Sequence, residues 1–115
     1  MVRIEAGKRG KINILTISGK ITHGEGDEAI RNKFDELLGR GERLFIFDMT
    51  KVPYSDTSGI MAAIGCHKRV REQDGVIKLV MEPKGKTWEI FALTSLHKVF
   101  EIYGDLEEAL ASFAK

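Results

Sequence analysis

The segment from Leu44 to Gly59 constrains the fold more than any other part of the chain. Leu44-Phe45-Ile46-Phe47-Asp48-Met49 is apolar apart from one aspartate, the pattern of a strand covered on both faces. A turn-forming stretch containing Pro53 follows. Next come three consecutive side chains able to cap a helix, Asp56, Thr57 and Ser58, and then Gly59. Ile60, Ala63, Ile64, His67 and Val70 recur at helical spacing and predict a helix over about 58–73. The segment reads as strand, short loop, helix, with the Thr57 and Ser58 hydroxyls where the helix begins. Unpaired backbone N–H groups and the positive end of the helix dipole lie there, so an anionic group is tolerated. Such a position suits the attachment and removal of a phosphate.

The rest of the chain fits an α/β pattern around this unit. Val2, Ile4 and Ala6 alternate with polar neighbours, Gly7-Lys8-Arg9-Gly10 supplies turn chemistry, and Lys11 to Ile17 resumes as a strand, which predicts a hairpin. Gly19 to Gly26 is a glycine-containing connection. From Asp27 onward, Ala29, Ile30, Lys33, Phe34, Leu37 and Leu38 form a helical stripe that Gly39 and Gly41 end. The 58–73 helix closes near Asp74-Gly75, and Val76 to Met81 reads as a strand broken by Pro83 and Gly85. Trp88, Phe91, Ala92 and Ser95 define a short helix, and Val99 to Tyr103 a last strand. Asp105, with Glu108 three residues on, resembles a capping box that opens a closing helix carrying Leu106, Ala109, Leu110 and Phe113. Strands alternating with helices after a hairpin predict one domain over 1–115, with a mixed sheet and about four helices.

Composition removes several function classes. Eighteen basic against seventeen acidic residues leave a formal charge of +1, which gives no general attraction to nucleic acid or to an anionic membrane. The nearest basic runs, Lys8-Arg9 with Lys11 and Lys68-Arg69 with Arg71, read as solvated turn and helix surface. One cysteine, Cys66, excludes an internal disulfide and a cysteine-cluster metal site, and it is expected to be a buried, inert thiol. The charged start Met-Val-Arg-Ile-Glu lacks the apolar region of a signal peptide, and no stretch approaches the ~20 apolar residues needed to span a bilayer. A cytoplasmic location is expected.

No enzyme signature is present. Asp56-Thr57-Ser58-Gly59 is superficially like the Asp-Thr-Gly triplet of aspartic proteases, but an extra residue intervenes and a helix follows. Neither Gly-x-Ser-x-Gly nor a P-loop nor Gly-x-Gly-x-x-Gly occurs. His23, His67 and His97 lack metal-ligand spacing, and His67 falls on the core stripe as a satisfied core or boundary histidine. No catalytic residue, metal site or cofactor is expected.

The element order and three segments together resemble the STAS family (sulphate transporter and anti-sigma factor antagonist). Those segments are Asp48 with Val52-Pro53-Tyr54-Ser55-Asp56-Thr57-Ser58-Gly59, the strand Ile77-Lys78-Leu79-Val80, and Leu96 to Leu110, especially Val99-Phe100-Glu101-Ile102-Tyr103. The nearest likeness is to its free-standing bacterial members, the anti-sigma factor antagonists. This resemblance implies phosphorylation at the start of the second helix by an anti-sigma factor with serine kinase activity, and removal by a serine phosphatase. The unphosphorylated form binds the anti-sigma factor, which then releases its sigma factor. Carried over by motif, Ser58 is the first choice of phosphoacceptor and Thr57 the second, with Asp56 and Gly59 in support. Nucleotide for the modification comes from the kinase.

A docking face is then expected on loop 52–57, the first turns of helix 58–73 and residues 19–26, with Tyr54, Ser55 and Met61 touching the partner. Ile60, Ala63 and Ile64 are assigned to the core. Gly59 is expected to ease an enzyme's approach to Ser58 by presenting no side chain. The alternative within the same family is an adaptor or scaffold subunit of a stress-signalling or transporter assembly, using this face without modification.

Overall fold

A computed structural model describes residues 2–114, so both end residues of the expected 1–115 domain lie outside the described residues. Five strands form one mixed sheet in the order β1-β2-β3-β4-β5: β1 (Arg3–Arg9), β2 (Ile12–Ser18), β3 (Leu44–Lys51), β4 (Val76–Val80) and β5 (Glu101–Tyr103). Four α-helices accompany it: α1 (Gly26–Gly39), α2 (Thr57–Arg71), α3 (Lys86–Leu93) and α4 (Leu106–Ser112), with a 3₁₀ turn over Leu96–Lys98.

The expected hairpin pairs Arg3 with Ser18 and Arg9 with Ile12, and Gly10 turns the chain at φ +59°. Every later strand runs parallel to its neighbour. Each parallel pair is therefore linked by a helical crossover, as parallel pairing requires.

The period-2 alternation of the central strands divides the core. Leu15, Ile17, Phe45, Phe47, Met49, Ile77 and Leu79 pack under Ile30 and Phe34 of α1, Ile60, Ala63, Cys66 and Val70 of α2, and Phe91 of α3. Ile14, Ile46 and Val80 point the other way, onto Ala109 of α4 with Leu106, Leu110 and Phe113 alongside. Strand β3 is covered on both faces because helices occupy both. The Asp105 carboxylate accepts the Glu108 N–H at 2.8 Å and caps α4. Among the described residues, no helix is long and apolar enough to cross a membrane.

Three local expectations fail. The last strand begins at Glu101 rather than Val99, because the 3₁₀ turn consumes the preceding residues and leaves Val99 on the surface. Ser95 lies beyond α3 in the left-handed region at φ +61°, so the helix ends before it. His67 packs against Phe100, ring centroids 4.9 Å apart, but its Nδ1 is buried and finds no hydrogen-bond partner among the described residues. It is a boundary histidine that is not satisfied. Burial, and behind it the Arg71 charge, pulls its pKa below the usual histidine range.

Candidate functional site

Parallel strands β2, β3 and β4 all end at the same edge of the sheet, and the segments leaving them converge there. In open α/β sheets this carboxyl edge is where function usually gathers. The segment after β2 lies against the loop after β3. Ile21 N–H donates to the Tyr54 carbonyl and Asp56 N–H to the Ile21 carbonyl, both at 3.0 Å, as a single parallel bridge between Ile21 and Ser55. Thr87, at the start of α3, donates its hydroxyl to the Val52 carbonyl at 3.3 Å. Loop 52–56 is thereby tied to both neighbours.

Asp56 caps α2. Its backbone is extended (φ −82°, ψ −176°), and its Oδ1 accepts the Ser58 N–H at 2.9 Å. The Ser58 hydroxyl donates to the same oxygen. Oδ2 accepts the His23 N–H at 3.1 Å, so one carboxylate both caps the helix and holds the neighbouring connection. The Ser58 hydroxyl is the largest influence holding Asp56 below the usual carboxylate range; burial opposes it, and the His23, Ser58 and Gly59 amides add to it. Asp56 is therefore anionic at neutral pH.

Neither hydroxyl is sealed inside the protein. Thr57 is exposed and Ser58 half-buried, at the first two positions of α2. Tyr54 and Met61 stand on the surface beside them, 46% and 64% exposed. Ile60 and Ala63 are in the core, and Ile64 packs partly buried against it.

Ser55 departs from expectation. It is 2% exposed and donates its hydroxyl inward to the Asp56 carbonyl at 3.0 Å, so it lies beneath the rim rather than standing out from it as Tyr54 does. The bridge to Ile21 alternates the loop's side chains, turning Tyr54 outward and Ser55 inward.

Gly59 also differs from its expected role. It is buried, and a Cβ built there would lie 2.1 Å from Ser55 Oγ and 2.7 Å from Ile21 Cγ2. The missing side chain faces the interior, where it admits Ile21, and does not clear a path to Ser58. Gly26 does the same from α1, since its Cβ would lie 2.9 Å from Ile21 Cα. Ile21, wholly buried between the two glycines, is the residue on which both helix starts close.

Sequence reasoning placed 19–26 beside the site but did not identify Ile21, Gly26 or the His23 amide. Asp27 was read only as the start of a helix. It is 3% exposed, and accepts the Gly24 N–H at 2.8 Å and an Arg31 N–H at 3.4 Å. Burial pushes its pKa upward, but the Gly24 and Glu28 amides and Arg31 outweigh that and leave it lowered. The glycine-rich Gly24-Glu25-Gly26 was the available signal, since helix starts packed this tightly on another segment need glycine.

The STAS domain model matches residues 3–109. The chain belongs to the STAS family. Solved structures share this STAS fold from end to end. A Thermotoga maritima protein provisionally assigned as an anti-sigma factor antagonist superposes with a TM-score of 0.89, at 20% identity over 97% of this chain and 95% of its own. An anti-sigma factor antagonist from Mycobacterium paratuberculosis gives 0.88, at 16% identity over 100% and 96%. The phosphorylated form of the Bacillus cell fate determinant SpoIIAA gives 0.74, at 18% identity over 96% and 99%. At these identities the likeness establishes the fold. No curated protein matches the sequence significantly.

Proposed function

We propose that this STAS domain is an anti-sigma factor antagonist acting in the cytoplasm. Unmodified, it binds an anti-sigma factor with serine kinase activity and so frees a sigma factor; phosphorylation at Ser58, with Thr57 the second candidate, ends the binding. A serine phosphatase restores it. The observation that carries the reading is the solvent-reachable pair of hydroxyls at the start of α2, beside exposed Tyr54 and Met61. The structural neighbours support it, since they include anti-sigma factor antagonists and a phosphorylated form.

The switch works through charge at a rigid edge. Phosphoserine adds about −1.5 to −2 charges at neutral pH. The start of α2 tolerates that charge, so the phosphate is read by the partner rather than by the fold. Two like charges ~4 Å apart at an effective dielectric near 20 repel by about 4 kcal/mol. A penalty of that size weakens binding about a thousandfold.

Incubation with the anti-sigma kinase and ATP, followed by mass spectrometry, should place one phosphate on the peptide containing Ser58. Ser58→Ala should bind the kinase constitutively and Ser58→Asp should bind it weakly. Equal, wild-type binding by both variants would replace the switch with the adaptor reading. Phosphate found on Thr57 would move the acceptor by one residue and leave the switch in place.

A further inference from the structure

A second feature borders the phosphoacceptor. Lys20, Thr22, Pro53, Tyr54 and Lys86 line one hollow of about 560 Å³, and no carboxylate is among them. Tyr54 also lines the neighbouring hollow, of about 380 Å³, together with Ser55, Asp56, Thr57, Ile60 and Ile90. An occupant of the first hollow therefore lies against the wall of the second. Lys20 and Lys86 are exposed, and among the described residues neither has an ion pair. Glu82 stands with Lys86 in a third hollow, beyond Pro53.

We propose that Lys20 and Lys86 flank a docking point for an acidic segment of the anti-sigma factor, which seats an apolar side chain on Tyr54 and places carboxylates on the two lysines. This rests on the antagonist reading and adds the chemistry of the partner to it. Charge complementarity commits the occupant. The two charges that line this hollow are cationic and attract an acidic segment, with Asp56 and Glu82 confined to the adjoining hollows, and a phosphate arriving next to that acidic segment turns attraction into repulsion. A basic partner would be attracted by the phosphate instead, and modification would tighten the complex. Steering by such charges acts mainly on the association rate and its salt dependence.

The test has two arms. In the first, the isotopically labelled protein is titrated with a blocked peptide carrying four glutamates on either side of a phenylalanine, and with its lysine counterpart. The acidic peptide should shift the amides of Lys20, Thr22, Tyr54 and Lys86, an effect lost in the Lys20→Glu, Lys86→Glu double variant. Shifts at Lys68, Arg71 and Lys98 instead, equal shifts with the lysine peptide, or tighter binding of a single-stranded oligonucleotide to the same amides would overturn the proposal. In the second arm the anti-sigma kinase binds the wild type and the double variant at low salt. Association should slow about tenfold or more in the variant, and its salt dependence should flatten. Unchanged association would remove the acidic docking point and leave the antagonist reading standing. A kinase that ignores the wild type, while the acidic peptide still maps to the hollow, would remove the antagonist reading and with it the anti-sigma factor as occupant, leaving only a site for acidic peptides.

Discussion

Gly59→Ala tests whether the site is held by packing at the Ile21 crossing. The added methyl would meet Ser55 Oγ at 2.1 Å and Ile21 Cγ2 at 2.7 Å, both well inside van der Waals contact. Neither atom has room to retreat, since Ser55 is 2% exposed and Ile21 is wholly buried with Gly26 against its other side. Overpacking of a tight core costs about 1–3 kcal/mol, and two hard contacts place this site in the upper half of that range. Alanine's helix propensity returns about 1 kcal/mol relative to glycine. The net expectation is a loss of about 1–2 kcal/mol, or about 4–8 °C in Tm for a domain of this size.

Urea unfolding followed by far-ultraviolet circular dichroism and by fluorescence of the single tryptophan, Trp88, would measure it. A second substitution isolates the cause. Ser55→Ala removes the nearer atom, so the double variant should recover about 1 kcal/mol relative to the sum of the single losses. A Gly59→Ala protein as stable as wild type or more so would refute the reasoning, because propensity would then have outweighed a contact that costs nothing. Wild-type stability combined with slower phosphorylation would instead restore the role in enzyme access expected from the sequence.

Three further outcomes are expected. Because Asp56 has a folded-state pKa below its unfolded value, its contribution to stability is complete well above the unfolded value of about 3.9 and is lost as pH falls through the folded pKa; the Tm difference between wild type and Asp56→Asn at neutral pH should shrink steadily as the solution is acidified below that unfolded value. His67 is also depressed, so it releases its proton on folding between its folded pKa and the ordinary histidine value near 6.5; urea midpoints should fall as pH drops through that window, and His67→Gln should lose this component. Burial pushes the Cys66 thiol up to about 12, so a thiol reagent at pH 8 should leave the native protein unmodified and react at once in denaturant.

The fold was legible where the signal is local or periodic. The strand at 44–49, the caps at Asp56 and Asp105, and the alternation of strands with helices all follow from spacing and from a few backbone-bonding side chains. What escaped is non-local. Nothing in Ser-Asp-Thr-Ser-Gly says that Ile21 lies beneath it, so the sequence alone points Ser55 outward and Gly59 to the surface. Lys78 interrupts an otherwise apolar strand without any sign of its partners. The structure supplies them from α4 and its flank, with the Ser112 hydroxyl at 2.7 Å and the Phe113 ring 4.3 Å away, and from Glu101 of β5 at 3.5 Å. Val99 belongs by sequence to the last strand, but the 3₁₀ turn before it keeps it out of the sheet.

On the proposed switch, the choice between Ser58 and Thr57 as phosphoacceptor turns on Asp56. Thr57 is the more exposed, so access alone would favour it. Ser58 already donates its proton toward a carboxylate, which fixes the direction of its oxygen and raises the electron density on it. Once that oxygen carries a phosphate, it can no longer donate to Asp56, and two anions share the start of one helix. Asp56 still has the Ser58 and His23 amides to hold it, so the frame survives while the site gains negative charge. On the proposed switch, then, Asp56 serves as anchor in one state and as added negative charge in the other. An Asp56→Asn protein keeps an oxygen to cap α2 but loses that second contribution. Phosphorylation of Ser58 in that background should therefore weaken partner binding less than in wild type; an equal loss would show that the phosphate acts without Asp56.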